Sequence, residues 1–348
     1  MTSDGCAPTC STGHARGRRP PRKRARPVGA VHGRDGHPNS TGRAQLPDGC
    51  LVRFRMGDRP PSPTSRKAKG VTVASVRLVA LRRLDWDTEF FGVLMGALAL
   101  TDAWPTAGDP VVRAAALAEE IRAAVAEAAG AGYAHLIFRV PAEDLAAAWG
   151  AAQAGLRLVD IGVDSTFRFD RGSGLPKPDP AVRPARTADL PALQAIAADS
   201  FVFSRFAADP FFTPEQWRAF HRQWITNLCA GLADTVLVFE AEGEVVGFVS
   251  CARAGGEGRI PLIASHARLR RAGVGRALVT AALHWFAAAG VSAVHVKTQA
   301  QNYPALALYH RLGFTISKTD LTFSVMPQEH GTPVQTATVV KTAVRGLE

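Results

Sequence analysis

Between positions 269 and 286 the chain reads LRRAGVGRALVTAALHWF, which sets Arg270, Arg271, Gly273, Gly275 and Arg276 directly ahead of an apolar pattern of helical period. Glycine lets a backbone come close to a ligand, and the first N–H groups of a helix have no partner inside it. Such a junction can hold an anion, and the arginines add charge to it. A dinucleotide fingerprint needs a third glycine where Leu278 stands, and an acidic residue about 20 positions on, where the chain has Lys297, Thr298 and Gln299. A Walker A loop needs Gly-Lys-Ser/Thr, which the chain lacks. What remains is Arg270-x-x-Gly273-Val274-Gly275-Arg276, to be read either as an anion site or as a plain strand-to-helix turn with solvated arginines.

Other chemistries find little support. There is no Gly-x-Ser-x-Gly elbow, and no Cys/His pair competes for nucleophilic catalysis. The 10 histidines lack ligand spacing, so no metal is expected. Cys6, Cys10 and Cys50 lie near the start, while Cys229 and Cys251 fall in separate elements, which indicates neither a disulfide framework nor a zinc site.

The elements that must position the loop follow from periodicity. VRLVALRRLDWDTEFFGVLMGALAL reads as strand, irregular segment, strand. Residues 110–130 have helical spacing, AHLIFRV is a strand, AEDLAAAWGAAQAG a helix, and LRLVDIGVDSTFRFD an alternating strand. Together, residues 77–170 form a small α/β domain. Residues 171–182, RGSGLPKPDPAV, crowd glycine and proline into a linker. A second unit over 183–327 opens with Thr187 as a helix cap, continues through a long helix around PEQWRAFHRQWITNLCAGL, then runs through strands DTVLVFEA, EVVGFVSCARA and GRIPLIAS. The loop's helix, strand VSAVHVKTQ, helix YPALALYHRLG and strand FTISKTDLTFSV complete it, and 328–348 read as a frayed tail.

The formal charge of +11 is confined to the first part of the chain. Residues 1–70 hold 15 of the 41 Lys and Arg and 4 of the 30 Asp and Glu, so the remainder is neutral. Residues 1–76 therefore read as a disordered basic tail, poor in large apolar residues. It is a dispensable extension, a start assigned ahead of Met56, or an arm for nucleic acid, whereas the folded part is not expected to bind nucleic acid. No signal peptide and no run of about 18 apolar residues is present, so no membrane partner is expected and the protein is expected in the cytoplasm.

Taken in order, strand GRIPLIAS, loop RRAGVG, a strand, Asn302 and the tyrosine-bearing helix LYHRLGF resemble the GNAT family of acyl-CoA N-acetyltransferases over residues 183–326. The resemblance implies a mixed, mostly antiparallel sheet flanked by helices, and acetyl-CoA as co-substrate. Its pyrophosphate would sit on the glycine loop, and its pantetheine would pair with the strand at Ile263, Ala264 and Ser265, within reach of Asn302. Tyr309 falls on the family's general acid. Acyl transfer to an amine also needs a base and an oxyanion donor, and Asp160, Asp164 and Glu257 are the carboxylates to test for the base. With tyrosine near pKa 10 and a thiol near 8.5, protonating the leaving thiolate is uphill by about 2 kcal/mol, so the site must make that transfer concerted or stabilise the tyrosinate.

LDWDTEFFGV, QAGLRLVDIGVDSTF and SRFAADPFFTPEQWRAFHRQWITN resemble members of that family that acetylate a dTDP-linked 4-amino-4,6-dideoxyhexose. That narrower resemblance implies a small-molecule acceptor, a nucleotide-linked amino sugar. It sets Asp160 where those enzymes have a glutamate near the reaction centre and makes Ser204, Arg205, Trp224 and Asn227 acceptor-side residues. Another amine as acceptor, or a catalytically idle acyl-CoA binder, stands as the alternative. A homodimer is one expectation for the assembly.

Overall fold

The computed structural model describes residues 77–169, 174–269 and 271–329. The expected basic tail, Arg270, part of the linker and the end of the chain lie outside these residues. In chain order the strands are β1 (Val79–Arg83), β2 (Met95–Leu100), β3 (His135–Pro141), β4 (Arg157–Arg168), β5 (Val182–Pro184), β6 (Thr235–Ala241), β7 (Glu244–Ala254), β8 (Glu257–Ile260), β9 (Ile263–Ser265), β10 (Ala293–Gln299) and β11 (Thr315–Val325). The helices are α1 (Asp85–Phe91), α2 (Pro110–Gly130), α3 (Leu145–Gln153), α4 (Leu190–Ser200), α5 (Arg205–Ala208), α6 (Pro214–Asn227), α7 (Val274–Ala288) and α8 (Tyr303–Arg311).

Local chemistry accounts for most of these boundaries. Helix α2 begins with Pro110 behind Asp109, whose carboxylate accepts the Val111 N–H. Helix α6 begins with a capping box in which Thr213 and Gln216 satisfy each other's backbone N–H. Two local expectations differ from the structure. The segment read as irregular, Asp85–Phe91, is a helix, closed by Gly92 at φ 69°, with Trp86 and Phe90 stacked on one another and meeting Phe220 edge-on. Thr187 caps nothing: it starts a short 3-10 turn, and it is the Asp189 carboxylate, gripped by Arg183, that accepts the Arg186 N–H.

All the described strands join one mixed sheet in the order β1-β2-β3-β11-β4-β10-β8-β7-β6-β5, with β9 pairing β7 beside this path. Among the described residues only β2/β3 and β8/β10 pair in parallel. Segments on both sides of residues 171–182 thus share the sheet, because β11 lies between β3 and β4. Adjacent residues of a strand face opposite sides, and the cores follow that rule. Helices α4 to α6 pack on a face containing Ile137 of β3 and Phe248 of β7. On the other face, α2 and α3 cover Leu136, Phe138 and Val140, while α7 and α8 cover Val249, Cys251, Val294 and Val296. Among the described residues, no helix is long and apolar enough to cross a membrane.

Candidate active site

The candidate site forms where the sheet splits. Proline has no N–H for a ladder, and Pro261 breaks the strand read as GRIPLIAS into β8 and β9. Both remain on the same flank of β7: residues 252–254 pair β8 and residues 247–249 pair β9. Ser250 seals the jog between them. Its N–H and its hydroxyl donate to the Leu262 carbonyl at 2.9 and 3.1 Å, and its oxygen accepts the Leu262 N–H at 2.9 Å. Strand β10 follows β8 only as far as the pair Val296↔Ile260, after which residues 297–299 stay with β4. Beyond that point the facing edges of β9 and β10 carry no ladder bond among the described residues, and a gap opens between them. Ile263, Ala264 and Ser265 line one edge of it.

Helix α7 starts beside this gap. Gly273, at φ 85°, is its N-cap and has no side chain to satisfy the first turn, while Arg271 holds the left-handed conformation at φ 70°. The N–H groups of Val274, Gly275 and Arg276 are therefore left for a ligand or water, with the exposed Arg271 and Arg276 beside them. Two glycines permit the packing. A Cβ on Gly247 of β7 would come within 2.8 Å of Val274 Cγ1, and one on Gly275 within 3.1 Å of Leu308 Cδ2. The first turn of α7 is thereby seated against β7 on one side and α8 on the other.

Helix α8 carries Tyr309. Asn302 caps it, accepting the Ala305 N–H at 3.4 Å, and donates through Nδ2 to Thr298 Oγ1 of β10 at 3.0 Å. In this structure Asn302 thus ties α8 to the edge of the gap. Tyr309 is 3% exposed, sits in the α7/α8 core and packs on Phe314 at 5.6 Å. Burial pushes its pKa above the ordinary tyrosine value, so the phenol keeps its proton at neutral pH.

On the other face the side chains are charged and buried. Asp160, 6% exposed, follows a register shift between β4 and β11. Arg205 Nη2 donates to Asp87 Oδ1 at 3.1 Å, with both side chains almost inaccessible, and the guanidinium lies 3.8 Å from the Phe206 ring centroid. Arg205 thus links α1 to α5 in this structure. Ser204 caps α5 through the Ala207 N–H. Trp224 is buried, and its indole N–H has no hydrogen-bond partner among the described residues. Asn227 closes α6 and accepts from Gln223 Nε2 at 2.8 Å, just before a π-helical turn over Leu228–Leu232. Glu257 lies 3.2 Å from His295 Nε2. The structure thus gathers the loop, Ile263–Ser265, Asn302 and Tyr309 around the gap and its α7/α8 side. Ser204, Arg205, Trp224 and Asn227 sit on α5, α6 and their ends, over the opposite face.

Sequence reasoning missed several groups on that face. His135 Nε2 meets Asp209 Oδ2 at 2.8 Å, both fully buried. Lys297 reaches Asp320 as well as Asp164, the carboxylate already singled out from the sequence, and Arg139 Nε stands 3.4 Å from Asp320 Oδ1. One sequence signal pointed there: Gly162, alone inside an alternating strand, marks a close approach. Among the described residues no group of three or more His, Cys, Asp or Glu could hold a metal ion.

Comparison with known proteins agrees with this geometry. Residues 192–314 match the sequence profile of the acetyltransferase (GNAT) family. The chain is 28% identical over 243 residues to dTDP-fucosamine acetyltransferase of Escherichia coli O6:H1, a match covering 69% of this chain and 95% of that protein. It is 25% identical over 197 residues to the spore coat polysaccharide biosynthesis protein SpsD of Bacillus subtilis, covering 55% and 66% of the two chains. Mycothiol acetyltransferase of Amycolatopsis mediterranei is 32% identical over 99 residues, or 26% of this chain and 33% of that one. The family generally uses acetyl-CoA. A glycine-opened helix N-terminus beside a strand edge without a ladder partner among the described residues suits such a donor, and these matches agree: the chain carries a GNAT-family domain over residues 192–314 and is an N-acetyltransferase.

Proposed function

We propose that the enzyme transfers an acetyl group from acetyl-CoA to the amine of a nucleotide-linked amino sugar, of the dTDP-4-amino-4,6-dideoxyhexose type. One observation carries the choice of acceptor. The match to dTDP-fucosamine acetyltransferase runs well beyond residues 192–314 and takes in nearly the whole of that protein, so the likeness includes strands and helices that an acetyl donor alone does not require.

The donor fits the residues around the gap. Its pyrophosphate is received by the N–H groups of Val274, Gly275 and Arg276 with charge from Arg270, Arg271 and Arg276, because a helix N-terminus favours an anion. Its pantetheine amides find ladder partners along Ile263, Ala264 and Ser265, with Asn302 alongside. The neutral amine attacks the thioester carbonyl, the new C–N bond forms and the C–S bond breaks. The Tyr309 hydroxyl proton passes to the departing sulfur, and the proton shed by the amide nitrogen restores the tyrosine. Burial favours the protonated phenol, which makes a free tyrosinate costly and the transfer concerted with C–S cleavage. On the acceptor side, Asp160 is a carboxylate that acts on the amine only through water, and Ser204, Arg205, Trp224 and Asn227 shape the sugar and nucleotide pocket.

Profiling amines with acetyl-CoA, following free thiol, tests the acceptor. Turnover is expected with dTDP-4-amino-4,6-dideoxygalactose. If every dTDP-amino sugar is refused while another amine is acetylated, this reading of the acceptor fails. Tyr309→Phe is expected to lower kcat by about 10²- to 10⁴-fold with little change in the KM for acetyl-CoA; undiminished turnover would remove Tyr309 from the reaction.

A further inference from the structure

We propose that Lys297 is a positioning residue of the acceptor side, lying across Gly162 so as to hold Asp164 as the carboxylate that accepts a hydrogen bond from the acceptor's nitrogen. The inference rests on the reading that the gap between β9 and β10 receives the acetyl donor, and it holds for whichever amine is acetylated.

Lys297 is the first residue of β10 past its last pairing with β8, so it stands at the apex of the gap. Its neighbour Val296 packs in the core with Tyr309, which turns Lys297 to the opposite face, the one covered by α4 to α6. There its side chain crosses β4. Nζ lies 3.2 Å from Asp164 Oδ2 on β4 and also bonds Asp320 on β11, the strand beyond. Only glycine allows that crossing. A Cβ at position 162 would fall 2.5 Å from Lys297 Cε, 3.0 Å from its Nζ and 2.9 Å from Asp320 Oδ1.

The two carboxylates differ. Asp320 is 2% exposed and lies between Lys297 and Arg139, so it is enclosed. The Asp164 side chain is 21% exposed and Lys297 28%; a carboxylate offers about four lone-pair sites, and Asp164 turns one oxygen to Lys297 with room left for a second donor. Lys297 bonds both carboxylates at once and so fixes the direction in which Asp164 faces. The other charged groups on the neighbouring strands are Arg139 on β3 beside Asp320, Lys318 on β11 in register with Asp164, Asp160 on β4, and His295 with its partner Glu257 on β10 and β8; the helices over this face bring the Arg205–Asp87 pair. In the step concerned, the acceptor's ammonium gives one proton to Asp164, which passes it to water, and the lone pair left on nitrogen attacks the thioester.

The test compares Lys297→Met, Lys297→Arg, Gly162→Ala and Asp164→Asn through kcat and KM for the acceptor, with the KM for acetyl-CoA and the melting temperature measured alongside. Asp164→Asn is expected to lower acceptor kcat/KM at least 100-fold. Lys297→Met is expected to lower it about tenfold with the donor KM within twofold, and Lys297→Arg, which keeps the charge, to recover most of that loss. Gly162→Ala, which keeps the ammonium but displaces it, should lower it in the same way, and the double variant should go no further than Lys297→Met. An acceptor kcat/KM unchanged in both variants while the melting temperature falls overturns the proposal, as does a donor KM that rises in step. The acceptors used are dTDP-4-amino-4,6-dideoxygalactose and, in a parallel arm, spermidine. Refusal of the first with turnover of the second sinks the acceptor assignment and leaves this test intact. If both are refused, a crystal structure of Lys297→Met decides it: an Asp164 carboxylate turned from its wild-type direction supports the inference, and an unmoved one overturns it.

Discussion

The two faces of the sheet at the gap are built from different materials. On the α7/α8 face the groups offered to a ligand are main-chain ones, namely the edge of Ile263–Ser265 and the first N–H groups of α7, with glycine wherever the chain must come close. On the α4–α6 face they are polar and charged side chains, buried or half-buried, each held by a partner far away in the chain: Arg205 by Asp87 at a separation of 118, Lys297 by Asp164 at 133, and His135 by Asp209 at 74. Main-chain groups suit a donor that the whole family shares, since they need only a fold. Side-chain charges suit an acceptor that varies between members, since they can be exchanged without altering the sheet. The comparison predicts that damage to one face leaves binding at the other unchanged.

The largest effect expected is at Arg205. Removing one partner of a buried ion pair strands the other charge, at a cost of about 3–5 kcal/mol. Arg205→Met leaves the Asp87 carboxylate enclosed at 4% exposure without this cation. Urea unfolding should show that loss, while acetyl-CoA bound by the remaining folded protein keeps its affinity in calorimetry. A weakened donor affinity would show that the two faces are not independent.

That difference in materials also explains what the sequence could disclose. The glycine loop is contiguous, so RRAGVG is legible as a glycine-opened entry into a helix from the order of its residues alone, to be read either as an anion site or as a plain turn. Most strands and helices follow from periodicity and caps. Helix α1 escaped although Gly92 and the acidic first turn were visible, because its aromatic side chains serve a core supplied by α5 and α6, more than 100 residues later. The place of β11 between β3 and β4 is a matter of pairing partners, which alternation does not specify. The Lys297 cluster needs three strands in register, and Gly162 marked its position without naming what would fill the space. Thr187, the cap expected from the sequence, fell to a carboxylate held by Arg183.

A smaller effect, with a pH signature, is expected at Asp209. Burial alone would raise the pKa of this carboxyl, but the hydrogen bonds it accepts from His135, the Phe211 N–H and the Ser324 hydroxyl outweigh it, and the net shift is downward. A carboxyl whose folded pKa is depressed stabilises the fold above its unfolded value, near pH 4, and that contribution disappears as pH falls through the folded value. His135 Nδ1 is buried without a partner among the described residues, so Nε2 is assigned as the proton-bearing atom that donates to Asp209. Asp209→Asn presents an amide N–H there and forces the imidazole proton onto the partnerless side. The expected loss is about 2 kcal/mol at pH 7, shrinking towards zero below pH 4 in urea unfolding at each pH. A loss that is equal at both pH values would mean that the charge on Asp209 is not what binds the α5–α6 connection to β3.

The finest test of the comparison is a methyl group at Gly247, on the donor face. Alanine there meets Val274 Cγ1 at 2.8 Å, with the Ala264 carbonyl oxygen and Leu278 Cδ1 each at 3.1 Å. A β-branched side chain in a helix has one preferred rotamer, so Val274 cannot swing aside freely. The Ala264 oxygen belongs to β9 itself. Overpacking of this kind costs about 1–3 kcal/mol, and here relief comes from moving the first turn of α7 away from the strand edge with which it frames the gap. Gly247→Ala should therefore raise the KM for acetyl-CoA several-fold, with kcat and the acceptor KM less affected, because the acceptor face is fixed by side-chain pairs that this methyl does not touch. If instead the acceptor KM rises as much as the donor KM, the two faces share one adjustable element, and the separation between a main-chain donor site and a side-chain acceptor site does not hold.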